Sequence, residues 1–295
     1  MKKETPQRKF HQQDFIAKED DSLLIYLQKQ FSEKSRNEIK SFLRHRQIMV
    51  NDQCRTAFDY SVKRGDKVSF LSIGLEKPNP NHKCRIVYED DDLIVVEKKY
   101  GVLSMSRGKE GEETVFSIMM QHVRRRDKNA RVFIVHRLDR ETSGLMMLAK
   151  SEKAQSILQD KWNDNILERK YVAIVEGAVE KEEDKIVSYL TESQKSLKMH
   201  SSPTDNGGKK AITNYKVLQR GQYYSLLELS LETGRKNQIR VQLASIGHCV
   251  AGDKKYGATS NPLKRICLHA QSLSFKHPTT KKRMEFSTDI PKEFL

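Results

Sequence analysis

The chain has 295 residues, and 37% of them are hydrophobic, enough for a core, which excludes a disordered polymer. Lysine and arginine number 54 against 39 acidic residues, a formal net charge of +15 that favours a polyanionic partner, nucleic acid first; the plain alternative is a basic surface that keeps the chain in solution. No stretch approaches the roughly 20 apolar residues of a membrane span, and the charged start leads into no apolar segment, so a cytoplasmic protein without membrane contact is expected.

Residues 1–20 are polar and unpatterned and are expected to form a flexible arm, with order starting near Ser22. A small domain is then predicted over 21–84. Leu23, Leu27 and Phe31 fall at helical spacing, and Ile39, Phe42 and Leu43 repeat the pattern, giving two short amphipathic helices. On the second, Arg36, Lys40 and Arg44 lie four residues apart and so share one flank, a basic stripe. Taken alone, such a stripe is most often a solvated helix face. "IMVNDQ" and "DKVSFL" read as strands around the turn-like "RGD". "IKSFLRHRQIMVND" followed by "VKRGDKVSF" resembles the small α/β RNA-binding domain named after ribosomal protein S-four, and the resemblance implies that the stripe faces structured RNA.

The segment "IGLEKPNPNHKCR" combines two prolines, a glycine and two asparagines with little apolar content, the composition of an interdomain connection, and sets a boundary near residue 84. The four cysteines, Cys54, Cys84, Cys249 and Cys267, lie far apart, without the close pairs of a zinc or redox site; free thiols, no metal and no cofactor are expected.

Over 85–295 the strand-like runs "IVYEDDDLIVVEKKYG" and "VFIVHRLD" precede a helical pattern in "SEKAQSILQDKWNDNI", and further strands follow in "KYVAIVEG", "AITNYKVLQR" and "YSLLELSLETG". Strands and helices mix without regular alternation, which predicts an α+β domain on a mixed, largely antiparallel sheet flanked by helices and loops. The stretch 193–210 has few apolar anchors and reads as a mobile basic loop.

"RVFIV" is a run for burial and "ETSGL" carries turn residues, so Asp139, between Arg137 and Arg140, falls at a strand-to-loop edge, where reactive groups are often displayed. On spacing alone an acid between arginines is most often a structural ion pair. The full stretch "HRLDRETSGLMMLAK" resembles the signature of the RluA family of pseudouridine synthases, in which the aspartate is the catalytic residue. "ERKYVAIVEG" and "LETGRKNQIRVQLASIGHCVAGDKKYG" resemble the family's next two blocks in the same order, and "FKHPTTKKRMEFS" extends the likeness to the end. Departures are "EKKYG" around Lys98, where the family pattern has a proline, and Asn237 and Gln242, where it commonly has histidines.

The resemblance implies a fold, a substrate and a site. Isomerising uridine breaks the bond from ribose to base nitrogen and rejoins the base through carbon five, which requires a nucleophile but no oxidant or energy donor. Asp139 would attack the ribose anomeric carbon or assist glycal formation, or add to carbon six of the ring. To stay ionised while shielded it needs a cation, and Arg240 is the first choice, through two parallel hydrogen bonds, with Arg235 second; the alternative for either is a phosphate or surface contact. Tyr171 would stack on an extruded base and help remove the carbon-five proton, the alternative being a tyrosine packed in a strand. Arg137 shares a side of the extended chain with Asp139 and would fill the gap left by the base, while His136 points away and reads as structural. Trp162 reads as packing. The expected partner is ribosomal RNA, or transfer RNA, bound by a monomer. The rival readings are an RNA-binding assembly factor without turnover and an N-glycosidase that releases uracil.

Overall fold

Leu23, Leu27, Ile39 and Leu43 are all buried, and they form the inner faces of helices α1 (Leu23–Gln30) and α2 (Arg36–Arg44). The start of α2 is fixed by a reciprocal cap. Ser35 Oγ accepts from the Glu38 N–H at 3.3 Å, and the Glu38 carboxylate accepts from the Ser35 N–H at 2.9 Å, which satisfies donors the first helical turn leaves open. The computed structural model describes residues 12–44, 47–51, 53–71, 83–106, 112–125, 127–160 and 162–295. The chain divides into two units, Met1–His82 and Lys83–Leu295, so most of the proline-bearing connection lies outside the described residues.

In the first unit, strands β1 (Gln12–Ile16), β3 (Ile48–Val50), β4 (Gln53–Cys54) and β6 (Lys67–Leu71) form an antiparallel sheet in the order β1-β6-β3-β4, while β2 (Asp21–Ser22) pairs with β5 (Ser61–Val62). Strand β1 thus lies inside the stretch expected to be a flexible arm, ahead of Ser22. The reason is Phe15, whose ring meets Phe31 edge-on at 5.7 Å beside the Phe31–Phe42–Phe70 cluster and holds β1 on the sheet. The rest of the predicted arm, residues 1–11, lies outside the described residues.

The second unit is α+β, as expected. Its strands are β7 (Cys84–Glu89), β8 (Leu93–Lys98), β9 (Phe133–Ile134), β10 (Ser143–Ala149), β11 (Ile166–Glu176), β12 (Glu183–Glu192), β13 (Met199–Ser202), β14 (Lys209–Arg220), β15 (Tyr224–Leu231), β16 (Leu268–Lys276) and β17 (Arg283–Ser287). They join in one sheet ordered β13-β12-β14-β15-β11-β16-β10-β8-β7, with β17 on β16 and β9 on β10. Among the described residues every pairing in it is antiparallel except the short contact of β10 with β16, Ser143 with His269 and Gly144 with Ala270.

The helices are α3 (Val115–Arg124), α4 (Glu152–Asp160), the single turn α5 (Trp162–Asn165) and α6 (Gln238–Ser245). Every residue of β10 is buried because both its faces are covered. Met146 and Leu148 pack in the cluster that includes Val115 and Met119 of α3; Leu145, Met147 and Ala149 pack with Ala154 and Leu158 of α4. Among the described residues no helix is long and apolar enough to cross a membrane.

Two sequence expectations change. The loop predicted over 193–210 contains a strand: β13 pairs with β12, and Lys209 and Lys210 already belong to β14. The anchor is Met199, buried with Leu190, Ala211, Val241 and Tyr256. The "VFIV" run pairs only at Phe133–Ile134, and the chain from Val135 to Thr142 is irregular.

Candidate active site

Leu138 is buried, and Ser104 clips its backbone from both sides, donating to its carbonyl at 2.7 Å and accepting from its N–H at 3.1 Å. The Arg140 carbonyl accepts from the Gly101 N–H at 2.9 Å and from the Lys98 ammonium at 3.2 Å. Asp139 lies between these two pinned residues, and the Thr142 N–H bonds to its carbonyl at 3.1 Å, closing a turn. Its carboxylate is thereby held at the wall of a cleft of about 310 Å³, at the small end of the roughly 300–1,000 Å³ usual for small-ligand sites.

Tyr171, Arg137, Arg235, Asn237 and Arg240 line the same cleft. Tyr171 comes from β11, at a register break where that strand meets Ala270 of β16. Loss of hydration raises its phenol; the Arg169 cation opposes this and the Asp139 charge adds to it, so the hydroxyl keeps its proton at neutral pH. Arg137 is exposed on the cleft wall, and Arg235, also exposed, donates through Nε to the Lys210 carbonyl at 3.2 Å.

Arg240 is buried on α6, and its geometry differs from the expected one. The two parallel hydrogen bonds go to Asp253, from Nε at 2.6 Å and from Nη2 at 2.8 Å, whereas Asp139 receives a single longer contact, Nη1 to Oδ2 at 3.4 Å. Burial explains the choice: Asp253 is fully buried and has no water to screen its charge, while the Asp139 side chain is 31% exposed to the cleft. Burial alone would weaken the Arg240 charge, but the hydrogen bonds and charge of Asp253, followed by the charge of Asp139, raise its pKa. The ring of Tyr256 lies 5.2 Å from the guanidinium carbon.

Lys98 is a second buried cation near the acid. Its ammonium donates to the carbonyls of Val102, Lys99 and Arg140 at 2.7, 3.2 and 3.2 Å. Burial lowers it to about 8 against the pull of the Asp139 and Glu141 charges. His136 faces away from the cleft: its Nε2 accepts from the Met147 N–H at 3.2 Å, and its ring meets Trp162 at 5.8 Å. Burial, aided by the Arg169 cation, pushes it down to about 3, so it is neutral and serves as an acceptor.

Of the two positions where the family pattern commonly has histidine, only Asn237 reaches the cleft. It sits in the left-handed region at φ 52° and donates to the Tyr256 hydroxyl at 2.9 Å. Gln242 is fully buried, accepts from Thr213 Oγ1 at 2.6 Å and donates to Ser188 Oγ at 2.9 Å and the Ala211 carbonyl at 3.0 Å. Gln238 makes matching bonds to Thr213 Oγ1 and the Ile212 carbonyl, so two amides fasten α6 to β12 and β14. Arg36, Lys40 and Arg44 are exposed along α2, in the other unit.

Asp253 is the site residue that sequence reasoning missed; a lone acid before two lysines carries no periodic signal. Asp253→Asn keeps the shape but removes the charge that Arg240 is matched to. It is expected to cost about 3–5 kcal/mol in urea unfolding, as breaking buried pairs does, and to lower turnover although Asp253 does not line the cleft. An unchanged unfolding midpoint would contradict the clamp.

Comparison with known proteins adds to this geometry. Residues 92–245 match the family described as RNA pseudouridylate synthase. The chain is 33% identical over 272 residues to the uncharacterized RNA pseudouridine synthase YlyB of Bacillus subtilis (strain 168), spanning 88% of this chain and 87% of that protein. It is 30% identical over 283 residues to ribosomal large subunit pseudouridine synthase D of Haemophilus influenzae, spanning 90% and 86%. Among solved structures, human RNA pseudouridylate synthase domain containing 4 superposes with a TM-score of 0.58 at 23% identity, over 71% of this chain and 89% of that one, a likeness of fold.

Proposed function

Since the chain belongs to the RNA pseudouridylate synthase family and is therefore an enzyme that converts uridine in RNA to pseudouridine, we propose that Asp139 is its nucleophile and that the uridine reaches it by swinging out of ribosomal RNA. The observation that carries this reading is the placement of a pinned, partly shielded carboxylate on a cleft wall, 3.4 Å from a guanidinium and beside Tyr171. The reaction is a net isomerisation. The ribose–nitrogen bond breaks, the uracil turns, a bond forms from ribose to carbon five, the proton on carbon five leaves as the ring regains its conjugation, and the freed ring nitrogen takes up a proton.

The Arg240 guanidinium faces the Asp139 carboxylate at 3.4 Å, and Tyr171 offers a ring for the uracil to stack on, worth roughly 1–3 kcal/mol on single-strand analogies. The phenol, with its proton retained, serves better as a stacking and hydrogen-bonding surface than as a strong base. Arg137 occupies the space the base leaves in its stem, and Arg235 holds a backbone phosphate. The likeness to large-subunit enzymes favours ribosomal over transfer RNA. In this reading the first unit, with its resemblance to the ribosomal protein S-four domain, holds structured RNA through Arg36, Lys40 and Arg44, and the enzyme works in the cytoplasm as a monomer.

The test is a map of pseudouridines in total RNA from cells with and without this protein. One or a few large-subunit ribosomal positions are expected to lose the modification and to regain it with the purified enzyme. Loss confined to transfer RNA would overturn the substrate assignment.

A further inference from the structure

Phe58 belongs to the first unit, and 56% of it is exposed, the most open phenylalanine among the described residues. A single exposed aromatic is ordinary on a protein surface. This one is held and accompanied. Its carbonyl accepts from the Leu24 N–H at 3.0 Å and the Tyr60 carbonyl from the Leu23 N–H at 2.8 Å, so the open donors at the start of α1 fix the segment that carries the ring. The Lys40 ammonium lies over the ring at 6.0 Å, and Lys40 is the middle residue of the exposed stripe, one turn from both Arg36 and Arg44. Beside it, the Arg55 guanidinium sits 4.5 Å from the Tyr60 ring centre.

A fixed aromatic ring under a cation, flanked along one helix by two further cations, has the chemistry of a single-strand nucleic-acid platform: π-faces take bases, and cations spaced along the strand take phosphates. We propose that Phe58 and Lys40 form a stacking platform for one unpaired base of the RNA substrate, other than the uridine that reacts, with Arg36 and Arg44 on the neighbouring phosphates. This rests on the reading that the first unit holds RNA. It goes further, because charge alone binds paired and unpaired RNA alike, whereas a stacking plate selects a loop, bulge or end.

The experiment uses full-length protein carrying Asp139→Asn, so that no turnover intervenes, and two probes: an RNA hairpin with 2-aminopurine in its unpaired loop, and a fully paired duplex of the same length. Phe58→Ala is expected to weaken hairpin binding about 5- to 100-fold, to abolish quenching of the 2-aminopurine, and to leave duplex affinity and the salt slope unchanged. Phe58→Trp restores both losses and Phe58→Leu neither. The triple variant Arg36→Gln, Lys40→Gln, Arg44→Gln lowers the salt slope for both probes. If Phe58→Ala binds the hairpin as before while the triple variant weakens it, the unit holds RNA by charge alone and the platform is wrong. If both are silent, the RNA-holding role of the unit falls with it. A Phe58→Leu protein as good as the parent would also overturn stacking, since it would leave only an apolar contact suited to a protein surface.

Discussion

Asp139→Asn is expected to bind RNA as the unaltered protein does and to form no measurable pseudouridine, a loss of at least about 10⁴-fold in turnover. The two halves of this result have different causes. Affinity for RNA comes mostly from cations meeting phosphates, and removing one anion from a chain with a net charge of +15 does not weaken that. In the proposed reaction, turnover requires an anionic oxygen at this position, which an amide lacks. The substitution is also gentle on the fold. The Asp139 side chain is 31% exposed and makes one long contact to Arg240, whose charge stays matched by Asp253. Filter binding and single-turnover product formation on one preparation separate the effects; residual isomerisation near the parent rate would mean that another group attacks.

The second large effect concerns Gly144, five residues after the acid. Its φ of +112° disfavours any side chain, and a Cβ placed there would lie 2.1 Å from the Ala270 carbonyl oxygen and 2.6 Å from the Ala270 nitrogen. Both are backbone atoms of β16 and cannot rotate away. Gly144→Ala is therefore expected to cost more than about 3 kcal/mol in urea unfolding, or to prevent folding. Ala270 is also the residue opposite Tyr171, so parting β10 from β16 pushes the Tyr171 strand away from the Asp139 turn. The protein that does fold is expected to lose activity along with stability. An unfolding midpoint equal to the parent's would contradict the close approach.

Helices α1 and α2 are legible in the sequence because Leu23, Leu27, Ile39 and Leu43 recur at helical spacing on surfaces with one wet side. Helix α6 is not legible. Gln238, Ile239, Arg240, Val241, Gln242 and Leu243 are all buried, so polar residues face inward and no apolar stripe stands out. Helix α3 does have a wet side, with Val115, Met119 and Val123 buried and Gln121 and Arg124 exposed, yet it is absent from the elements expected from the sequence. The strand at Met199 rests on one methionine among polar residues.

For the site, the likeness of "HRLD" to a known signature singled out Asp139, which spacing alone left as an ion-pair residue. Its neighbour Arg240 is 101 positions away in the chain, and Asp253 reaches it from a different loop; such meetings are products of strand order that no local pattern contains.

The amide bonds of Gln238 and Gln242 to β12 and β14 bear on how the enzyme tolerates change. A helix seated on hydrocarbon alone can creep by fractions of an ångström to accommodate a neighbour, but each of these amides has one geometry that satisfies it. Sliding α6 by a residue would swing Arg240 through about 100° and orphan both amides together. The guanidinium beside Asp139 is thus latched in place or lost altogether, with no graded intermediate, and damage around α6 should yield mixtures of fully active and dead molecules rather than a uniformly slowed population.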